Sequence, residues 1–593
     1  MKVMYWILLL IVVFCALPMH AGEATALPAG GRLLSAAIPT LRSAAERASS
    51  STVAVEGLPF AQALRISVRQ AGQPWDVEGK MPVPVALTTG ETLLIKLWLR
   101  AVRTRAESGD VTIGVNLQKA GPDWYKPFSQ GVSANRDWRE VLLPFTIDRD
   151  FPAAGAELAL HLGDREQELE LGGVELWSFG TTLKPAQLPR MRITWAGMEP
   201  DAPWRAEAEA RIERLRKGDL AVRVLDAAGK PVAGAAVRVR QLRHAFPFGT
   251  AATAGRIMGT QPDDETYRRH LRELFNAVVL ENDLKWGAWA GEWGPRHGRA
   301  QTLAALGWLR EHDYLVRGHV LVWPSWRNLP KLAQALKADP AALRQAILAR
   351  IDDAAGATAG LAQHWDVLNE PFDNHDVMDL CGREVMVEWF TRARERLPAD
   401  CRLFINDYGI VAAGGATDTP HQRHYAETIR FLLDQGAPLE GIGVQSHFGG
   451  QPTPPVTALA ILDRFADFKL PIVVTEFDIN TQDEDYQAAY TRDYLTLCFS
   501  HPAISGFLMW GFWEGAHWMP QAAMLRKDWS EKPNLAVWRE LVLRRWWTDL
   551  TVHTDADGVA RVRGFKGAYS VEAGGRTTTT TIGDQPVNIA LQR

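Results

Sequence analysis

From about Phe246 to Trp547 the chain alternates short apolar runs with longer amphipathic stretches, and nothing else in its 593 residues constrains the fold so tightly. Runs near Phe246, Ala277, Val316, His364, Leu403, Ile442, Ile472 and Gly506 read as eight strands. Stretches such as Glu265 to Phe275, Ala341 to Asp353 and Arg383 to Arg396 read as helices between them. Parallel strands require crossovers long enough for a helix. Eight β/α units in about 300 residues is the size of a (β/α)8 TIM barrel.

The barrel accounts for about half the chain, and length scaling suggests about three or four domains in all. Between about Gly30 and Pro185 short alternating strands are broken by turn residues, the pattern of an all-β sandwich. Leu93 to Arg100 and Trp138 to Phe145 are two of them, and the stretch from Leu158 to Trp177 closes the region with two more. Trp98, Trp138 and Trp177 fall at alternating strand positions and read as core. Trp124 and Tyr125 follow Gly121-Pro122-Asp123 in a loop, where an exposed aromatic pair can stack on a sugar face. The region is similar to jelly-roll carbohydrate-binding modules that precede glycanases.

A polar helix from Arg205 to Lys217 leads into alternating strands at Leu220 to Asp226 and Ala235 to Gln241, joined by Gly229-Lys230-Pro231. Strand, turn and strand recur after the barrel, at Val559 to Val562 and Gly567 to Glu572. The expected architecture is a signal peptide at 1–26, a β-sandwich at 27–188, the first half of a small β-sandwich at 205–243, the barrel at 244–548 and the second half at 549–593. The signal peptide rests on a short basic start, an apolar run from Tyr5 to Leu17 and the small residues beyond it. It implies export, to periplasm or medium, with no membrane span after cleavage.

A formal net charge of -4 gives no basic footprint, so nucleic acid is not an expected partner. Beyond the leader, Cys381, Cys401 and Cys498 stand outside any paired motif with His and read as buried thiols. No metal ion or cofactor is expected, and the sequence does not fix an oligomeric state.

In a barrel the catalytic face lies at the carboxyl ends of the strands. Those ends here carry Glu281-Asn282 with Lys285-Trp286, His319 with Trp323, Asn369-Glu370, Asn406-Asp407-Tyr408, Gln445 with His447, Glu476 with Asp478, and Trp510. Two acids stand out, Glu370 in Trp365-Asp366-Val367-Leu368-Asn369-Glu370-Pro371 and Glu476 in Val473-Val474-Thr475-Glu476-Phe477-Asp478. Cleavage of a glycosidic bond needs a proton donor on one side of the sugar and a carboxylate on the other.

The two glutamate motifs, the Gly318-His319 step and the run Gly441-Ile442-Gly443-Val444-Gln445-Ser446-His447 occur in the order of glycoside hydrolase family 10, the retaining endo-β-1,4-xylanase family, which this region resembles throughout. The resemblance implies Glu370 as general acid/base and Glu476 as nucleophile. It implies Asn369 as a donor to the sugar 2-hydroxyl, with His447 and Asp478 orienting Glu476. Glu281, Asn282, Lys285, His319, Tyr408 and Gln445 would bind substrate, and Trp323, Trp510 and Trp518 would wall the cleft.

One departure alters the expected substrate. Where most of the family has His-Ser-Gln after this tryptophan, the chain has Pro324-Ser325-Trp326. Pro324 brings no side-chain donor, and Trp326 adds bulk and a stacking face. The expectation is a secreted retaining β-1,4-glycanase acting on xylan with an altered glycone side. The same mechanism on another or decorated β-1,4-linked polysaccharide is one alternative, and a catalytically weak polysaccharide-binding protein is another.

Overall fold

The computed structural model describes residues 24–104, 111–134, 136–191, 193–481 and 483–592. Residues 1–23 of the expected signal peptide, with Cys15, lie outside the described residues. The chain divides into two units, Met1–Met191 and Arg192–Arg593.

In the first unit two antiparallel sheets enclose one apolar core. The strands Ala48–Ala54, Gln62–Val68, Gln167–Ser178, Thr92–Thr104 and Arg139–Thr146 lie in that order in one sheet, with Arg32–Ala36 also paired to Gln167–Ser178. Thr40–Ser43, Val77–Val83, Ala156–His161, Val111–Lys119 and Phe128–Ala134 form the other. Side chains alternate across each strand, so Leu158 and Leu160 enter the core while Glu157, just before Leu158, stays outside it. Of the three tryptophans expected inside, only Trp98 is buried. Trp138 and Trp177 are half-buried, because each lies on an outward face that only a few neighbours cover: Phe60 and Arg100 for Trp138, and a small cluster with Leu94 and Phe179 for Trp177. Trp124 is exposed beside Lys80, whereas Tyr125 bonds Asp148 and lies under the Arg149 guanidinium.

The second unit contains a closed parallel barrel. Its strands are β1 (Phe248–Ala252), β2 (Ala277–Leu280), β3 (Leu315–Val322), β4 (His364–Asn369), β5 (Arg402–Asp407), β6 (Gly441–Val444), β7 (Ile472–Ile479) and β8 (Ile504–Met509). Each pairs in parallel with the next, and β1 with β8 closes the ring. Burial on both faces explains why these strands read as nearly continuous apolar runs. Glycine makes room where the lumen is crowded: a Cβ at Gly318 would strike the Trp365 indole, and one at Gly443 would strike the Asn406 amide.

The helices start where the sequence supplies caps. Pro420–Asp434 begins with Thr419 accepting from the Gln422 N–H, the Gln422 side chain returning the bond and proline at the first turn.

Around the barrel's two chain ends the segments on either side of it meet. Lys217–Leu225 lies between Val559–Phe565 and Val587–Gln592, and Ala236–His244 between Asp549–His553 and Gly567–Ala573, with Arg576–Ile582 beyond. Leu220, Val222, Val237, Val239, Tyr569 and Val571 share their core. Among the described residues no helix is long and apolar enough to cross a membrane. Cys401 and Cys498 are buried free thiols, but Cys381 is half-exposed. It ends the six-residue helix Asp376–Cys381, in which only Val377 is buried, so the expectation of a buried thiol fails there.

Candidate active site

Asn369 ends β4, and Glu370 follows it in a left-handed backbone conformation with φ +54°. Such a residue costs about 1–3 kcal/mol unless its surroundings hold it. Here its N–H donates to the Asn406 carbonyl at 2.8 Å and its own carbonyl accepts from Asn374 Nδ2 at 3.1 Å. The carboxyl group receives Gln445 Nε2 on Oε1 at 2.8 Å, and Trp323 Nε1 at 3.0 Å and Asn374 Nδ2 at 3.2 Å on Oε2. Burial raises its pKa above the ordinary carboxylate value, the Gln445 bond opposes the rise and the charge of Glu476 adds to it.

Glu476 lies inside β7 and is buried. Asn406 Nδ2 donates to its Oε1 at 2.7 Å, and His447 Nε2 stands 3.2 Å from its Oε2. The two-residue strand His447–Phe448 pairs with β7 so that His447 lies opposite Asp478, whose Oδ1 is 2.9 Å from His447 Nδ1. Burial opposes charge on this ring, but the two flanking carboxylates outweigh it and lift its pKa to about 10. His447 is therefore a doubly protonated imidazolium at neutral pH. Trp518 Nε1 donates to Asp478 Oδ2 at 2.7 Å and its half-exposed indole lies against the His447 ring.

One chain of amides joins the two acids. Gln445 Nε2 reaches Asn369 Oδ1 at 3.5 Å as well as Glu370, and Asn406 Nδ2 reaches the same Asn369 oxygen at 2.9 Å as well as Glu476. Both acceptor positions of Asn369 are thus taken, while its Nδ2 is buried without a protein partner. A buried donor without a bond is costly. Its position between the carboxylates suits a hydroxyl of bound substrate.

The remaining expected residues divide into those the structure brings to this centre and those it does not. Lys285 Nζ donates to Asn282 Oδ1 at 2.9 Å and lies over the Trp323 ring. Burial lowers its pKa, against the opposing charges of Glu476, Glu281 and Glu370. Glu281, itself raised by burial, feels Lys285 and Glu476. Trp510 is buried edge-on to both His319 and His447. His319 Nδ1 stands 3.0 Å from Asp366 Oδ2, and Asp366 is also paired with the buried Arg317.

Among the described residues neither Tyr408 nor Trp326 bonds to the amide chain. The Tyr408 ring is edge-on to His421, which stands 3.0 Å from Asp407. The Trp326 backbone N–H donates to Asp376 Oδ2 and its ring lies under Lys337 Nζ.

Several working residues escaped the sequence reading. Asn406 was visible at the end of β5, but nothing in its motif says that one amide reaches Asn369 and Glu476 at once. Behind Glu370, Ser325 Oγ donates to Asn374 Oδ1 at 2.7 Å, and Asn328 Nδ2 reaches both at 2.9 and 2.8 Å. The only sequence signal was proximity, with Asn374 four residues past Glu370 and Ser325 two past Trp323.

Comparisons with known proteins agree on one domain type. The sequence profile described as "Glycosyl hydrolase family 10" matches residues 239–539. The chain is 32% identical over 391 residues to "Anti-sigma-I factor RsgI6" of Acetivibrio thermocellus, a match covering 65% of this chain and 48% of that protein. It is 29% identical over 366 residues to "Endo-1,4-beta-xylanase 1" of Arabidopsis thaliana, covering 61% and 37%. The chain thus spans less than half the length of these relatives. Among solved structures, xylanase 10B from Thermotoga petrophila RKU-1 in complex with xylobiose aligns with a TM-score of 0.46 at 23% identity, over 51% of this chain and 95% of that one.

Proposed function

The chain belongs to glycosyl hydrolase family 10, and we propose that it hydrolyses the β-1,4 linkages of xylan, within the polymer, through a covalent glycosyl-enzyme intermediate. The carrying observation is the pair of unlike carboxyl environments joined through the Asn369 oxygen, with the Asn369 Nδ2 beside it unpaired. Relatives named as endo-1,4-β-xylanases support the substrate.

In the first step a Glu476 oxygen attacks the anomeric carbon as the bond to the leaving oxygen breaks, and Glu370 gives that oxygen its proton. Glu370 must begin protonated, which its raised pKa favours. The imidazolium of His447 and the Asn406 amide hold the attacking carboxylate in place. Positive charge builds on the sugar in the transition state and polarises its 2-hydroxyl, so a bond to Asn369 Nδ2 strengthens at that moment. In the second step Glu370, now a carboxylate, takes a proton from water, the water oxygen bonds to the anomeric carbon and the ester to Glu476 breaks.

The retained configuration makes this testable. Proton NMR of the first product should show the β-anomer before mutarotation, and a Glu476→Ala variant should lose at least about 10⁴-fold in kcat, the scale of a removed covalent nucleophile. First release of the α-anomer, or a variant at the parent rate, would refute the assignment.

Export through the apolar leader and glycan binding by the first unit belong to the same proposal. The second part is supported by the outer face of its five-stranded sheet. There Lys80, Glu157 and Gln118 bond one another, and the exposed Trp75 and Trp124 lie beside His161 and Lys80. Tryptophan beside ordered polar groups suits a sugar ring, which has apolar faces and a polar rim. Retention of the full chain on insoluble xylan, competed by soluble xylan, is the corresponding measurement.

A further inference from the structure

Next to Trp323, which bonds Glu370, lies a cavity of about 250 Å³ whose wall Lys285 and Trp323 share with the catalytic centre. It is smaller than the roughly 300 Å³ at which drug-sized pockets begin, so it suits one substituent and not a run of polymer. Trp293 stands at its mouth, 47% exposed. Gly287 makes that placement possible, because a Cβ there would lie 2.5 Å from the Trp293 indole nitrogen.

The charge around this cavity is uneven. Lys285 answers to Glu281, Glu370 and Glu476 on the catalytic side. What remains is Arg327 and Lys331 against Glu292 alone, and Glu292 accepts the Lys331 backbone N–H at 3.0 Å. Among the described residues the Arg327 guanidinium has neither a hydrogen bond nor an ion pair, although neighbouring loops hold Asp376 and Glu292. The Pro324-Ser325-Trp326 segment borders this opening in sequence, between Trp323 and Arg327, without lining it. Pro324 accepts from the Val377 N–H and Trp326 is drawn to Asp376 and Lys337, so neither side chain lines the cavity, while Arg327, next in sequence, does.

We propose that this cavity receives an acidic substituent on the glycone side of the chain being cut, a uronate whose carboxylate pairs with Arg327 and Lys331 and whose ring lies against Trp293. This rests on the xylan-hydrolase reading above and adds to it a preference for acidic decoration. A guanidinium suits the role because its planar fork meets a carboxylate with two parallel bonds.

The test compares one glucuronoxylan before and after chemical reduction of its uronic carboxyl groups, using the full-length protein. The parent should cut the acidic polymer with at least about a fivefold higher kcat/KM, a ratio that falls as salt rises, the scale of an exposed charge-assisted contact. Mass spectrometry should find products bearing the uronate near their newly formed reducing end. Arg327→Ala should bring the ratio to about one and Arg327→Glu below one, whereas Arg327→Lys should keep part of it, because lysine retains charge without the fork. Trp293→Ala should lower kcat/KM on both polymers, because reduction leaves the substituent's ring in place, and should leave the ratio and its salt dependence unchanged. A parent ratio of one, or an Arg327→Glu variant with the parent's ratio, overturns the proposal. Absence of cleavage of either polymer overturns the xylanase reading instead.

Discussion

The two ends of the barrel mouth handle the same chemical group in opposite ways. At the end of β4 the Glu370 carboxyl meets only neutral donors, an indole and two amides, and burial together with the charge of Glu476 raises its pKa. On β7 the Glu476 carboxylate meets an imidazolium that a second carboxylate keeps charged. Neutral donors orient a group without fixing its charge, whereas a charged partner fixes both. The site therefore holds one carboxyl group among neutral donors and another beside a charged ring, although both hang on the same amide chain.

Removing the mobile proton should break this contrast most severely. Glu370→Ala should lower kcat on xylan by about 10²–10⁴-fold, the range of a lost general acid. An aryl xyloside whose leaving group needs no proton should still produce a burst of phenol in stopped flow, and equal losses on both substrates would contradict the division of roles.

A smaller effect is expected between the two acids. Asn369→Ala removes the unpaired donor, and kcat should fall by about 10²–10³-fold with little change in KM, the pattern of a contact made in the transition state. Substrates lacking the 2-hydroxyl should show no such sensitivity.

The mildest probe moves charge without moving atoms. Because Glu476 raises the Glu370 pKa, Glu476→Gln should lower it, read by carbon NMR of the labelled side chain. In the parent the alkaline limb of kcat/KM should report loss of the Glu370 proton. His447 has the opposite sign. Its folded pKa of about 10 lies above the ordinary histidine value, so its stabilisation is complete below about 6.5, persists through neutrality and is lost as pH rises through about 10. Loss of stability as pH rises through about 10, followed by circular dichroism, should thus report His447, whereas the alkaline limb of kcat/KM reports Glu370.

The barrel was legible because both-face burial writes each strand as an apolar run, and its strand ends were legible because polar residues interrupt those runs. What stayed hidden depended on direction. Trp326 lies in a loop two residues after a proline, and sequence does not say that its N–H would meet Asp376 and its ring Lys337. Trp138 and Trp177 obey strand alternation, but alternation names two faces without saying how well each is covered. The Ser325, Asn328 and Asn374 cluster behind Glu370 joins loops about fifty residues apart and leaves no periodic trace.

The strand Lys217–Leu225 finds its partners only at Val559–Phe565 and Val587–Gln592, 334 residues further on from Leu225 to Val559. At a synthesis rate of about 5–20 residues per second, roughly 17 to 70 s separate its emergence from that of its first neighbour. For that interval Leu220, Val222 and Val224 have only Val237 and Val239 of their own sandwich to pack against, and every nascent chain passes through a state with a strand that waits for both its neighbours. The small sandwich is thus the last part of this unit that can be completed, although its first strand is made before the barrel.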